Sequence, residues 1–186
     1  MSKLSIIGLG HIGMNILQTF AQAEIDALGI EVDQKSIDHG LERTKNNLER
    51  LVKKGKITPE KRDEIISRMK ISKDINDIKE SNFVIEAIFE NINLKKDLFK
   101  KINSIVSQEC LILSNTSSLS ITEMATVVDN PGRFAGMHFF NPVPIMKLVE
   151  VVRGLQTTDE TVEATKKLAK ILGNYRLCAK TVLLLW

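Results

Sequence analysis

Apolar positions in this chain cluster into short runs, separated by longer stretches where they recur every three or four residues. Leu4 to Ile7, Ala27-Leu28-Gly29-Ile30, Phe83-Val84-Ile85-Glu86-Ala87-Ile88, Leu111-Ile112-Leu113-Ser114 and Phe134-Ala135-Gly136-Met137 are runs of strand length with polar flanks. Helical spacing fills the intervals. It covers Ile12 to about Ala23, Asn93 to about Ser107 with Leu94, Leu98, Ile102 and Ile105 on one face, and Thr158 to Leu172 with a stop at Gly173. Strand–helix alternation of this kind predicts an α/β fold, a doubly wound parallel sheet with helices on both faces.

One segment breaks the alternation. From about Ser36 to Met69 the chain is Lys- and Glu-rich and helical in pattern, interrupted by Gly55 and Pro59, which predicts a two-helix hairpin inserted after the second strand. A solvated surface feature is the plain reading. Its basic cluster Lys53, Lys54, Lys56 also suits a polyanionic substrate handle.

Composition narrows the class. With 186 residues and 43% hydrophobic content, the chain can bury one sizeable core, as a compact cytoplasmic enzyme domain does. A net charge of +3, without basic patches interleaved with aromatics, argues against nucleic acid. No apolar stretch reaches membrane-spanning length. A first strand starting at Lys3 leaves no room for a signal peptide. Of the two thiols, Cys110 abuts an apolar run and reads as core filler rather than half of a disulfide. No metal site is expected.

Two constellations carry chemistry. The first is Gly8-Leu9-Gly10-His11-Ile12-Gly13, a G-x-G-x-x-G directly after a strand and before a helix. Gly8 permits the tight turn, Gly10 lets the backbone approach a pyrophosphate, and Gly13 lets helix and strand pack closely. The helix N-terminus then offers N–H groups and a positive dipole end to phosphates. Glu31 closes the second strand and is placed to hold ribose hydroxyls. Asp33 competes for that role but reads better as the cap of the next helix. An acid here repels the extra phosphate of NADP, so NAD is the expected cofactor.

The second constellation is His138, on an expected turn punctuated by Asn141-Pro142, with Glu150 a short distance downstream. An unperturbed imidazole titrates at about 6.5, and a neighbouring carboxylate raises that value and orients the ring, as a base working near neutrality requires.

Several runs together give the chain a family resemblance. They are Glu86-Ala87-Ile88-Phe89-Glu90-Asn91, Asn115-Thr116-Ser117-Ser118-Leu119-Ser120-Ile121, His138-Phe139-Phe140-Asn141-Pro142 and Lys147-Leu148-Val149-Glu150-Val151-Val152. In this order, from the glycine loop to about Gly173, they resemble the NAD-binding domain of the 3-hydroxyacyl-CoA dehydrogenases, the family of the bacterial 3-hydroxybutyryl-CoA dehydrogenases. The resemblance implies a Rossmann-type domain over residues 1–179 that interconverts (S)-3-hydroxyacyl-CoA and 3-oxoacyl-CoA with NAD, in fatty-acid or butyrate metabolism. It puts the catalytic base on His138, the orienting carboxylate on Glu150, and the serine that holds the reacting oxygen on Ser117. Cofactor contacts fall on Gly8, Leu9, Gly10, His11, Ile12, Gly13, Glu31, Glu90, Lys95, Ser117 and Asn141. Contacts to the acyl-CoA thioester fall on Asn47, Lys54 and Ser117.

The departures bear on activity. After Gly173 the family runs through Pro-Gly-Phe and Asn-Arg signatures into an all-helical domain that covers the substrate and forms a homodimer. Here residues 180–186 are a divergent apolar tail ending at Trp186, so the expectation is a chain without that domain and with impaired turnover. Met14, Asn15 and Leu17 stand where the family favours small residues, Glu24 where it has Gly, and Glu31 where it has Asp. Two other readings stay open: a non-catalytic NAD- and CoA-binding remnant, and a related NAD-dependent hydroxy-acid or sugar-acid dehydrogenase.

Overall fold

The computed structural model describes residues 3–173 and the backbone of residues 176–181. The apolar end from Val182 to Trp186 lies outside the described residues. Eight strands, β1 (Leu4–Ile7), β2 (Ala27–Ile30), β3 (Met69–Ser72), β4 (Phe83–Glu86), β5 (Leu111–Ser114), β6 (Phe134–Phe139), β7 (Leu148–Arg153) and β8 (Arg176–Thr181), form one sheet in the order β3-β2-β1-β4-β5-β6-β7-β8. The strands β1 to β6 pair in parallel; β7 is antiparallel to β6 and parallel to β8. The order 3-2-1-4-5-6 is that of the doubly wound dinucleotide fold, whose ligand crevice lies beyond the carboxyl ends of the strands, where the winding reverses.

Among the described residues seven α-helices connect them: α1 (His11–Gln22), α2 (Gln34–Lys53), α3 (Pro59–Arg68), α4 (Ile92–Ile105), α5 (Ile121–Ala125), α6 (Val143–Met146) and α7 (Asp159–Ile171). They cover both faces of the sheet. Leu17 and Phe20 of α1, Leu48 of α2, Ile65 of α3 and Leu168 of α7 form one core with Ile6, Ile85 and Leu113. On the other face Phe99 and Ile102 of α4 and Met124 of α5 pack with Ile7, Val84, Ile112 and Phe134. Among the described residues no helix is long and apolar enough to cross a membrane.

The helical hairpin between β2 and β3 follows from local chemistry. Asp33 caps α2 by accepting from Ser36 N at 2.8 Å, Gly55 takes φ +64° after the helix ends, and Thr58 caps α3 ahead of Pro59.

Three expectations need correction. β3 was not anticipated, because a four-residue strand half composed of Lys70 and Ser72 lacks the apolar signature of its neighbours. The buried side of α4 is Lys95, Phe99 and Ile102, while Leu94 is 53% exposed; a lysine in a core is invisible to a search for apolar spacing. His138 lies inside β6, not on a turn, because the strand extends to Phe139 before Asn141-Pro142 ends it.

Candidate active site

The glycine loop is built by close approach. Gly8 has φ +89°, and a Cβ there would meet Ile88 Cγ2 at 2.8 Å. A Cβ on Gly13 would fall 1.8 Å from the Gly8 carbonyl oxygen, so α1 can start this close to β1 only with glycine. Gly10 is different: a Cβ there would meet nothing within 4 Å. It is the N-cap of α1, makes no side-chain cap, and is followed by no acid in the first turn. An unobstructed helix N-terminus over a small-residue loop fits the pyrophosphate of a dinucleotide.

Glu31 leaves β2 and turns back onto this loop. Its Oε2 accepts from Leu9 N at 3.0 Å, and its Oε1 accepts from Val32 N at 2.9 Å and Asp33 N at 3.1 Å. A carboxylate offers about four acceptor sites, so it keeps capacity for a ribose hydroxyl. Beside it a cavity of about 400 Å³ is lined by Gly8, Glu31, Val32, Asn76, Ile88 and Lys101 among others. Asp33, the alternative, is committed to capping α2, and the Ser36 hydroxyl and N–H hold its carboxyl below the ordinary value.

At the carboxyl ends of β4 and β5 a polar network closes the crevice. Glu86 has no exposed side-chain surface; its Oε1 accepts from Ile88 N at 2.7 Å and its Oε2 from Ser114 Oγ at 2.6 Å. Lys95 Nζ lies 2.5 Å from Glu86 Oε1 and 3.3 Å from Glu90 Oε2, and donates to the Ile88 carbonyl at 3.4 Å. The Oε1 of Glu90 accepts from the Thr116 hydroxyl, from Ser117 N at 3.1 Å and from Ser118 Oγ at 3.2 Å. Burial pushes both carboxyls up. For Glu86 burial wins and the value stays raised; for Glu90 the Thr116 hydroxyl, the Lys95 ammonium and the Ser117 N–H outweigh it and hold the value below the ordinary one.

Lys95 is placed within this network, beneath the loop that carries Glu90. It has no exposed side-chain surface and stands behind Glu90, whose side chain is 37% exposed. Ser117 is exposed at the crevice, and Asn141 is exposed just beyond β6.

Strand pairing makes the imidazole–carboxylate couple. His138 of β6 is the register partner of Glu150 on antiparallel β7, so side chains twelve residues apart in sequence face each other. His138 Nδ1 lies 3.3 Å from Glu150 Oε2, and the two side chains are 14% and 19% exposed. The His138 ring is also 4.5 Å from that of Phe140. Asn115, on the loop after β5, accepts from Phe139 N at 2.8 Å through its buried Oδ1. That bond ties the Ser117 loop to the strand carrying His138.

Asn47 and Lys54 share a second cavity, of about 790 Å³, between the hairpin, α1 and the α6 loop. Arg43, Arg50 and Lys56 make it basic, and His11 and Pro142 join its wall. Gln18 in the same lining is 2% exposed, and its buried Oε1 has no hydrogen-bond partner.

Sequence reasoning did not single out Glu86, Asn115 and Thr116. The available signal was the unbroken small polar run Asn115-Thr116-Ser117-Ser118 immediately after an apolar strand. Among the described residues no group of His, Cys, Asp and Glu could hold a metal ion.

The chain is similar to known proteins. Residues 3–182 match the family described as 3-hydroxyacyl-CoA dehydrogenase, NAD binding domain. The chain is 41% identical over 171 residues to the probable 3-hydroxybutyryl-CoA dehydrogenase of Deinococcus radiodurans, covering 92% of this chain and 61% of that protein. It is likewise 41% identical to the 3-hydroxybutyryl-CoA dehydrogenase of Clostridioides difficile, again covering 92% of this chain and 61% of that protein. The crystal structure of (S)-3-hydroxybutyryl-CoA dehydrogenase from Ralstonia eutropha superposes with a TM-score of 0.94 at 39% identity, over 98% of this chain and 64% of that one. The chain thus spans about three fifths of the length of these relatives.

Proposed function

The chain belongs to the 3-hydroxyacyl-CoA dehydrogenase family, whose NAD binding domain it matches, and from that premise we propose that it serves the interconversion of an (S)-3-hydroxyacyl-CoA and its 3-oxoacyl-CoA. The observation that carries the reading is the His138–Glu150 couple, fixed across two paired strands near the carboxyl end of β6, the end of the sheet at which the glycine loop follows β1.

Each residue has a role in this reading. With Nδ1–H donating to Glu150, the Nε2 of His138 is the acceptor for the proton of the substrate 3-hydroxyl. Glu150 fixes the tautomer and stabilises the imidazolium that results. Ser117 holds the reacting oxygen in place. NAD, when bound, supplies the hydride acceptor for the same carbon. The loop from Gly8 to Gly13 holds its pyrophosphate, Glu31 its adenosine ribose, and Glu90, Ser117 and Asn141 its nicotinamide end. Asn47 and Lys54, in their basic cavity, meet the CoA portion of the thioester. Residues 1–179 act as one dinucleotide-binding unit with 36–69 as its inserted hairpin, in a cytoplasmic and homodimeric whole protein.

Two measurements test this. Isothermal titration is expected to show NADH binding at least about tenfold tighter than NADPH, the worth of one charge-assisted hydrogen bond. A single-turnover reaction with protein in excess is expected to show acetoacetyl-CoA oxidising NADH. Equal affinity for the two cofactors would overturn the role of Glu31, and absence of any turnover would overturn the dehydrogenase reading in favour of a binding module.

A further inference from the structure

We infer that Lys95 and Glu86 are positioning residues: a buried ion pair that sets the place of Glu90 and, through it, the backbone of Ser117. The inference rests on the dehydrogenase reading for its consequence, since Glu90 and Ser117 are there placed at cofactor and substrate.

The geometry is specific. Lys95 has no exposed surface, so its ammonium acts only on its neighbours. Its contacts are Glu86 Oε1 at 2.5 Å, Glu90 Oε2 at 3.3 Å and the Ile88 carbonyl at 3.4 Å. These three lie at the end of β4 and on the loop that follows it. A side chain from the second turn of α4 thus reaches back under its own loop and fixes it from below. Glu86 completes the strut from the strand side. It binds Ile88 N within the same loop and Ser114 Oγ on β5, which spends its acceptors on backbone and neighbour rather than on solvent.

Glu90 then transmits the position. One oxygen faces Lys95, while the other accepts from the Thr116 hydroxyl, Ser117 N and Ser118 Oγ. The carboxylate is a bridge with a cation on one side and the serine loop on the other. Such a bridge must stay charged, because a protonated carboxyl loses half of its acceptor strength towards three donors at once. Lys95, with Glu86 behind it, supplies the charged groups in contact with Glu90. Buried pairs of this kind gain little net stability over an apolar substitute, so a placement role is a physical reason to keep one here.

The test separates placement from mere packing by its sign. In the full chain the Glu90 side-chain carboxyl is titrated by 13C NMR and the Ser117 amide is followed in the 15N–1H spectrum. Glu86→Gln leaves Lys95 paired with Glu90 alone and is expected to lower the Glu90 midpoint. Lys95→Met is expected to raise it, by about one pH unit or more, as loss of a cation at this distance does. The double variant Glu86→Gln/Lys95→Met, with no buried charge left unpaired, is expected to raise it as well. The raised midpoints come with a shifted, faster-exchanging Ser117 amide and about tenfold weaker NADH binding. If the folded variants leave the Glu90 midpoint and the Ser117 amide unchanged, or if none of the three folds, the pair is structural only and the inference falls. NADH that fails to bind the parent protein would instead overturn the cofactor reading, and the Glu90 titration would still decide this one.

Discussion

Two couples of a carboxylate and a nitrogen group sit at the carboxyl end of the sheet, and they are built in opposite ways. Glu86–Lys95 is sealed: both side chains are 0% exposed, their ions are 2.5 Å apart, and surrounding donors and acceptors are taken. His138–Glu150 is open: the separation is 3.3 Å, and each side chain keeps some exposed surface. A sealed pair holds its charges in place and cannot easily exchange protons. An open pair can give one up and take it back. On the proposed reading the difference separates holding a site together from doing chemistry in it, with β4 and α4 on one side and β6 and β7 on the other.

The contrast can be broken from either side. The largest effect is expected at the open couple: His138→Gln should reduce turnover by about 10²–10⁴-fold, measured in single turnover, while thermal unfolding stays nearly unchanged. Glu150→Gln should cost about ten- to hundredfold, one charge-assisted hydrogen bond. At the sealed couple the pattern should invert. Lys95→Ala leaves Glu86 charged and unpaired in the core, and denaturant unfolding should show a loss of about 3–5 kcal/mol. A Lys95→Ala protein with native stability would mean that water reaches the pair and that the two couples do not differ in kind.

The smallest effect concerns acid. The value for Glu90 is depressed in the folded protein, so its stabilising contribution is present above the ordinary glutamate value of about 4.3 and is lost as pH falls through the lower folded value. The buried Glu86 is raised and acts in the other direction, favouring protonation. Loosening of the Ser117 loop should therefore begin only below about pH 4.3, read by amide exchange at Ser117. Loosening near neutral pH would show that Glu90 is not held by its cation.

What was legible in the sequence follows the range of the interactions. The glycine loop, Glu31 at the end of β2, and the cap at Asp33 depend on residues within a few positions of one another, and their patterns can be read directly. The strand alternation and the doubly wound sheet could be read for the same reason. The alignment of His138 with Glu150 could not be derived from spacing, because it is fixed by antiparallel pairing after a chain reversal at Asn141-Pro142. Nearness along the chain suggested the pair, the resemblance gave it roles, and strand register supplies its cause. Lys95 defeated periodicity for another reason: a charged residue marks the outside of a helix unless a buried partner such as Glu86 waits for it, and that partner belongs to another element. Cys110 was legible from its apolar neighbours; burial lifts its thiol to about 11, which leaves it inert at neutral pH.

The three backbone N–H groups that hold Glu31 have a consequence for how a cofactor would be met. A flexible glutamate at a crevice edge loses about 0.5–1.5 kcal/mol of rotamer freedom when a ligand immobilises it. Here Leu9 N, Val32 N and Asp33 N have already removed that freedom in the folded chain. Because Leu9 follows Gly8 directly, the bond also fixes the span between the phosphate loop and the end of β2. The two contact points proposed for the two ends of an adenosine diphosphate unit are thus set like the jaws of a gauge, at one width, before anything enters.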